Sequence, residues 1–80
     1  MNHQIIRAIA AHVVLTPDGQ RLEMGVVELD ENDDVKSWYR LEGEKAHTVW
    51  LGGTIEIKRE GESLKAYKNN KPIKYYDYEY

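Results

Sequence analysis

The chain has 80 residues, no cysteine and a formal net charge of −3 at pH 7, from 11 basic and 14 acidic side chains. A chain of this length forms one domain with a thin core, because it buries only about 60–65% of the surface that its unfolded form exposes. The composition excludes disulfide bonds and thiolate metal ligands. The acidic balance argues against a nucleic-acid partner, since phosphate binding requires clustered positive charge.

The first residues do not have the pattern of a secretory signal, because they lack a basic start and Arg7 interrupts the apolar run after Ile6. No segment approaches the roughly 18 apolar residues of a membrane helix. Together with the absence of cysteine, these features lead us to expect a cytoplasmic protein with no membrane partner.

Apolar runs separated by turn signals fill the chain, a pattern typical of a small antiparallel β domain. The first run, residues 5–15, has helical spacing at Ile5, Ile9 and Val13, but it is also compatible with a strand that is apolar on both faces. Its Val-Val-Leu-Thr end favours the strand, which would then lie at the centre of a sheet. The Pro-Asp-Gly sequence at residues 17–19 predicts a turn.

The second run alternates, with Leu22, Met24 and Val26 on one face and Val27 and Leu29 on the other. The inward-facing side therefore changes near Gly25, where we expect a β-bulge.

The third run follows an acidic turn at residues 30–34. It places Val35, Ser37, Tyr39 and Leu41 on one face and Trp38 on the other, between Lys36 and Arg40. We therefore expect Trp38 to be exposed on the outer face of the sheet. Trp50 lies within an apolar Val-Trp-Leu run, and we expect it to be buried between layers.

The C-terminal half predicts strands at residues 48–51, 54–58 and 64–67, an edge strand at 72–75, a bend at Gly52 and Gly53, and turns at 59–63 and at Asn69 and Asn70. Ile55 and Ile57 point inward in the second of these strands. The fold is therefore predicted to be all-β, a small antiparallel sandwich or open barrel of five to seven short strands. Residues 1–75 would form a single β domain, and residues 76–80 a flexible or edge-strand tail.

Three pieces of the sequence, residues 11–19, residues 25–30 with Val35, and residues 64–73, resemble the small composite β domain of the amidohydrolase superfamily of metal-dependent hydrolases. In that family the N-terminal strands and a C-terminal hairpin together form a β domain beside the catalytic barrel. The resemblance implies that domain without its barrel. It carries over no catalytic residue, because the chain has no His-X-His motif.

No histidine pattern predicts a metal site, since His3, His12 and His47 are not paired at metal-ligand spacing. We expect His12 to be a partly buried polar residue. Ser37 and Ser63 lack the sequence setting of a catalytic nucleophile.

The acidic turn matches the first three ligand positions of an EF-hand loop, at Asp30, Asn32 and Asp34. Val35 and Leu41 stand where that loop requires glycine and glutamate, so we expect a solvated turn without calcium. The Gly-Gly-Thr sequence at residues 52–54 predicts a bend and not a phosphate cradle, because no helix follows it.

The aromatic residues give the main functional signal. Trp38 and Tyr39, flanked by Lys36 and Arg40, form the predicted interaction site, because aromatic side chains beside cations are common in contact surfaces. We expect a non-catalytic protein-interaction or self-associating module without a cofactor, whose partner is a second copy or another protein. The alternatives are an accessory or degenerate amidohydrolase-related domain, and a small ligand- or nucleic-acid-binding barrel that uses Trp38, Tyr39 and Trp50.

Overall fold

A computed structural model describes residues 7–43 and 48–74. These residues form seven strands: β1 Arg7–Leu15, β2 Arg21–Leu29, β3 Val35–Arg40, β4 Thr48–Trp50, β5 Thr54–Glu60, β6 Ser63–Lys68 and β7 Lys71–Pro72. The predicted all-β class and strand number are confirmed, and the strands form one mostly antiparallel sheet that is not closed into a barrel. The described residues contain no helix that could cross a membrane.

The sheet joins two meanders, and its strand order is β3-β2-β1-β5-β6-β7. Neighbours are antiparallel within each meander, whereas β1 runs parallel to β4 at Ala8–Ala10 and to β5 at Val13–Leu15. The central strand predicted from the first apolar run is therefore confirmed over Arg7–Leu15, and its first residues lie outside the described part of the chain.

One face of the sheet, here called the inner face, carries the main apolar cluster. Its buried members are Ile9, Ala11, Val14, Val27, Leu29, Val35, Ile55, Ile57, Ala66 and Ile73. The sheet curls around this cluster until β6 meets the β2–β3 turn, where Lys65 Nζ donates to Asp34 Oδ1 at 2.6 Å and to the Asn32 carbonyl at 3.3 Å. The curl allows a single sheet to enclose a core.

A kink crosses the sheet at the level of His12 and Met24. Ile9 and Val14 both join the inner cluster although they are an odd number of residues apart, and Leu22 and Val27 behave likewise in β2. The pairing of β1 with β2 stays in one register across this point, and Met24 adopts a left-handed φ of 55°. The predicted change of inward face near Gly25 is therefore confirmed, but both strands kink together and no residue is inserted between them.

The kink requires glycine at position 25. A Cβ atom there would lie 2.5 Å from Val14 Cγ2, which is closer than atoms can approach without displacement. Beside it, Gly52 and Gly53 break the strand between β4 and β5 with φ values of 72° and 67°. The predicted bend is thus confirmed, and it lies at the same level of the sheet as the kink.

A bulge in β3 reverses the predicted placement of its side chains. Glu28 pairs with Ser37 and the next residue, Leu29, pairs with Val35. Lys36, which lies between Ser37 and Val35, is therefore an extra residue in β3. Because of that residue, Val35 and Trp38 both face inward. Trp38 packs against the core and is partly buried, so its predicted exposure is wrong.

The predicted burial of Trp50 is also wrong, since 48% of its surface is exposed. Trp50 pairs with Ala10 and lies on the outer face of β4, whereas its neighbours Val49 and Leu51 pack on the inner cluster. An apolar triplet in a strand places its middle residue opposite the other two, and here the middle residue is the tryptophan.

The predicted turns of the C-terminal meander are confirmed. Asn69 and Asn70 both have positive φ, at 56° and 65°, as a type I′ hairpin requires. β7 is the edge strand expected around the proline, although it spans only Lys71–Pro72. Residues 75–80, including the predicted tail, lie outside the described part of the chain.

Candidate interaction edge

The free edge of β3 is the longest unpaired strand edge in the described part of the chain. β3 ends the strand order and forms ladder hydrogen bonds with β2 alone, although the curl of the sheet also brings β6 close to β3. The Leu41 amide donates to the Met24 carbonyl at 2.7 Å, which continues the β2–β3 ladder beyond the strand. Because successive residues of a strand turn their N–H and C=O groups to opposite sides, Trp38 and Arg40 present theirs away from β2.

The four residues of the predicted interaction site all lie on this strand, but not on one face. Trp38 faces the core. Lys36 Nζ lies 3.4 Å from Asp30 Oδ2, and Tyr39 donates its hydroxyl to Glu28 Oε2 at 2.8 Å on the outer face. The Arg40 side chain is exposed. The structure therefore brings the four residues together along an edge, where backbone groups as well as side chains are available.

Tyr39 is fixed by the sheet on which it lies. Burial raises the pKa of Tyr39 to about 12, and its hydrogen bond to the Glu28 carboxylate, with the negative charge of that group, acts in the same direction. Ser37 donates to the other oxygen of the same carboxylate at 2.8 Å. Glu28 thus links two side chains of β3 to β2 and keeps the edge strand in place.

The other edges are less suited to strand pairing. β4 has three residues and β7 has two. In β7, Pro72 has no N–H group to donate and the other residue is the charged Lys71. Proteins prevent edge pairing by short strands, proline and charge. β3 has six residues and no proline, so of these features it has only charged side chains.

A second group of exposed side chains, which the sequence did not reveal, surrounds the bend between β4 and β5. The rings of His12 and Trp50 meet edge to face at a centroid distance of 4.8 Å. His12 Nδ1 accepts the Gly53 amide at 3.1 Å. His12 is exposed, so its predicted partial burial is wrong. Only the folded register brings residues 12, 50 and 53 together, and no local motif indicates it.

The aromatic platform of the nucleic-acid alternative is divided between two faces. Tyr39 and Trp50 lie on the outer face with Val26 and Ala10 between them in the register, whereas Trp38 packs on the inner face. Bases stacked in succession require aromatic rings along one surface. The three rings do not form such a surface.

The acidic turn is folded around its own first residue. Asp30 Oδ1 accepts hydrogen bonds from the backbone amides of Asn32, at 2.8 Å, and Asp34, at 3.0 Å. Burial alone would raise the pKa of Asp30, but these two amides and Lys36 outweigh it and hold that pKa below its usual range. Asp30 is buried and engaged with the protein, and the described residues contain no cluster of three or more His, Cys, Asp or Glu side chains that could hold a metal ion.

An open pocket of about 420 Å³ lies between the β1–β2 turn and β5. The hydroxyl in its lining belongs to Thr16, which donates to Asp18 and accepts the Gln20 amide within the turn. The exposed Lys58 and Arg59 form its other side. The Thr16 hydroxyl is thus engaged within its own turn, and we place no reaction in this pocket.

No protein-family model, no curated protein and no solved structure matches the chain. Nothing in these comparisons supports kinship with the amidohydrolases, so that resemblance stays a prediction. The geometry of β3 is the feature that supports a function.

Proposed function

We propose that the chain is a non-catalytic β module that associates with itself by adding a strand to the free edge of β3. The observation that carries the proposal is the outward direction of the Trp38 and Arg40 backbone groups at the end of the sheet. Strand addition supplies hydrogen bonds to such groups and uses the alternating side chains for specificity.

The small size of the domain supports the proposal. Trp38 and Leu64 are only partly buried although they pack on the core. A domain of this size is marginally stable, and association stabilises any folded state that the partner binds. We place this role in the cytoplasm, consistent with the absence of cysteine.

Arg40→Pro tests the proposal. Proline removes the N–H group that points away from β2, and edge strands tolerate proline at such positions because no ladder bond is lost. Sedimentation of the natural chain at micromolar concentration is expected to show about twice the monomer mass of 9.3 kDa. Arg40→Pro is expected to stay monomeric with an unchanged far-ultraviolet circular dichroism spectrum.

Arg40→Ala is the matched control, because it removes the same side chain and retains the N–H group. It should weaken association less than the proline does. The proposal is wrong if the natural chain stays monomeric up to about 1 mM, a concentration at which even a weak dimer is populated. It is equally wrong if Arg40→Pro associates as strongly as the natural chain.

A further inference from the structure

We infer that the strand added to β3 is β3 of a second copy, antiparallel and centred on a two-fold axis at Tyr39. This inference rests on the proposed self-association and specifies its geometry. Two-fold symmetry is the usual closure of a homodimer, and it presents the same edge of both copies to each other.

The direction of the backbone groups restricts the register. Only every second residue, Trp38 and Arg40 among them, turns its N–H and C=O groups to the free edge. Each of these must face another edge-directed residue of the second copy. The two-fold axis must therefore pass through a residue of β3 and not between two residues. A centre at Lys36 or Arg40 would place that cation opposite its own copy, and a centre at Val35 would lie at the bulge, which leaves centres at Ser37, Trp38 and Tyr39.

The bulge in β3 favours a centre towards the C-terminal end of the strand. The register of β3 against β2 shifts at Glu28 and Leu29, next to Val35 and Lys36. A bulge twists its strand and interrupts the regular spacing of edge groups. Regular spacing begins after it, and the Leu41 amide extends the ladder beyond the strand end.

The charges of the edge select among the three centres. A centre at Trp38 places Lys36 opposite Arg40 of the second copy, and directly opposed like charges are unfavourable. A centre at Ser37 places Arg40 opposite Asp34 of the second copy, a carboxylate that already binds Lys65 at 2.6 Å.

A centre at Tyr39 opposes no like charges and does not place Arg40 opposite Asp34. It places Arg40 opposite Trp38 of the second copy on the inner face, where a guanidinium can lie over the indole. It places Lys36, which lies 3.4 Å from Asp30 Oδ2 of its own copy, opposite the exposed Glu42 of the second copy, so that a cation faces a second carboxylate and no like charges are opposed. Trp38 and Arg40 then exchange both backbone hydrogen bonds, and symmetry repeats each contact.

Single cysteine variants test this register directly, because the natural chain contains no cysteine and any disulfide must join two copies. In the inferred dimer the two copies of position 39 form a non-hydrogen-bonded pair with Cα atoms about 4.5 Å apart, within disulfide range. Tyr39→Cys is expected to form a covalent dimer with oxidised glutathione as the oxidant. Lys71→Cys, on β7 at the opposite edge, is the control and should stay monomeric.

A second pair of variants retains Tyr39 and its bond to Glu28, and loses instead the bond of Ser37 to the other oxygen of that carboxylate. Position 37 faces position 41 of the second copy, so an equimolar mixture of Ser37→Cys and Leu41→Cys should cross-link, and neither variant should do so alone.

Other cross-linking patterns overturn the inference. Cross-linking of Ser37→Cys by itself would indicate the Ser37 centre, and cross-linking of mixed Lys36→Cys and Arg40→Cys would indicate the Trp38 centre. If the natural chain dimerises and Arg40→Pro abolishes this, but neither Tyr39→Cys nor the mixture cross-links, the proposed function stands and this geometry fails. If the natural chain is monomeric, both fail.

Discussion

The two tryptophans contribute unequally to the stability of the domain. Trp38 packs on the inner cluster, whereas Trp50 is 48% exposed and its ring meets the ring of His12 edge to face. Trp38→Ala should therefore lower the free energy of unfolding by roughly 3 kcal/mol, as large-to-small core substitutions do. Trp50→Ala should lower it by about 1 kcal/mol, the contribution of an edge-to-face aromatic pair.

Urea denaturation of the two variants beside the natural chain measures this difference. The measurement should be made on an Arg40→Pro background as well, so that any loss of association does not contribute to the loss of stability. Equal effects, or a larger effect for Trp50→Ala, would contradict the assignment of the two faces.

At the scale of the single element, the β2–β3 turn depends on one ionised carboxylate. The pKa of Asp30 is lowered in the folded chain because two amides and Lys36 favour the charged form over the cost of burial. A group with a lowered pKa stabilises the fold above its unfolded pKa, and this stabilisation is lost as the pH falls through the folded pKa. The turn should therefore weaken in acid.

Asp30→Asn tests this dependence, because asparagine retains an oxygen acceptor for the two amides but cannot change its charge. At pH 7 the variant should be less stable than the natural chain by about 1–2 kcal/mol, the contribution of hydrogen bonds to a charged group. Thermal melts from pH 7 to pH 2 should show the two chains converging in acid. A constant difference across that range would contradict the role of the Asp30 charge.

The element scale also shows how much the sequence can predict. Alternation in β5 placed Ile55 and Ile57 inward correctly, because no bulge interrupts the pairing of Ile55 with Val14 or that of Ile57 with Ala66. The same rule failed in β3, since one extra residue beside Val35 changes the face of every residue after it. A bulge is determined by the partner strand as much as by its own residues, so periodicity within one strand cannot locate it.

The candidate site was predictable to the same extent. Residue types alone led to the choice of Lys36, Trp38, Tyr39 and Arg40 as an interaction site. Their role stays a prediction, and the structure shows that they lie on one strand. That this strand ends the sheet depends on the parallel pairing of β1 with β4 and β5. Pairing between strands far apart in the sequence has no local pattern, which is also why the contact of His12 with Trp50 was missed.

At the scale of the whole molecule, we predict that the fold is independent of metal ions. The described residues contain no metal-binding cluster of three or more candidate ligands, and Asp30 is engaged by amides and a lysine. Saturating zinc or calcium should therefore change the melting temperature by about 1 °C or less, with EDTA as the control. An ion at 100 times its dissociation constant would add about 2.7 kcal/mol, or more than about 10 °C in a domain of this size. A rise of that order would show that ligands have been missed.

The parallel seam in the middle of the sheet divides the folding of the chain into two kinds of step. β1, β2 and β3 are connected by short turns, and so are β5, β6 and β7, so each meander can form on the microsecond timescale of hairpins. The contact of Val14 with Ile55 closes the whole intervening chain, which costs more conformational entropy. We therefore predict that the two meanders form first and that their joining along β1 limits the rate. Until it occurs, the apolar residues of β1 have a hydrogen-bonded neighbour on one side only.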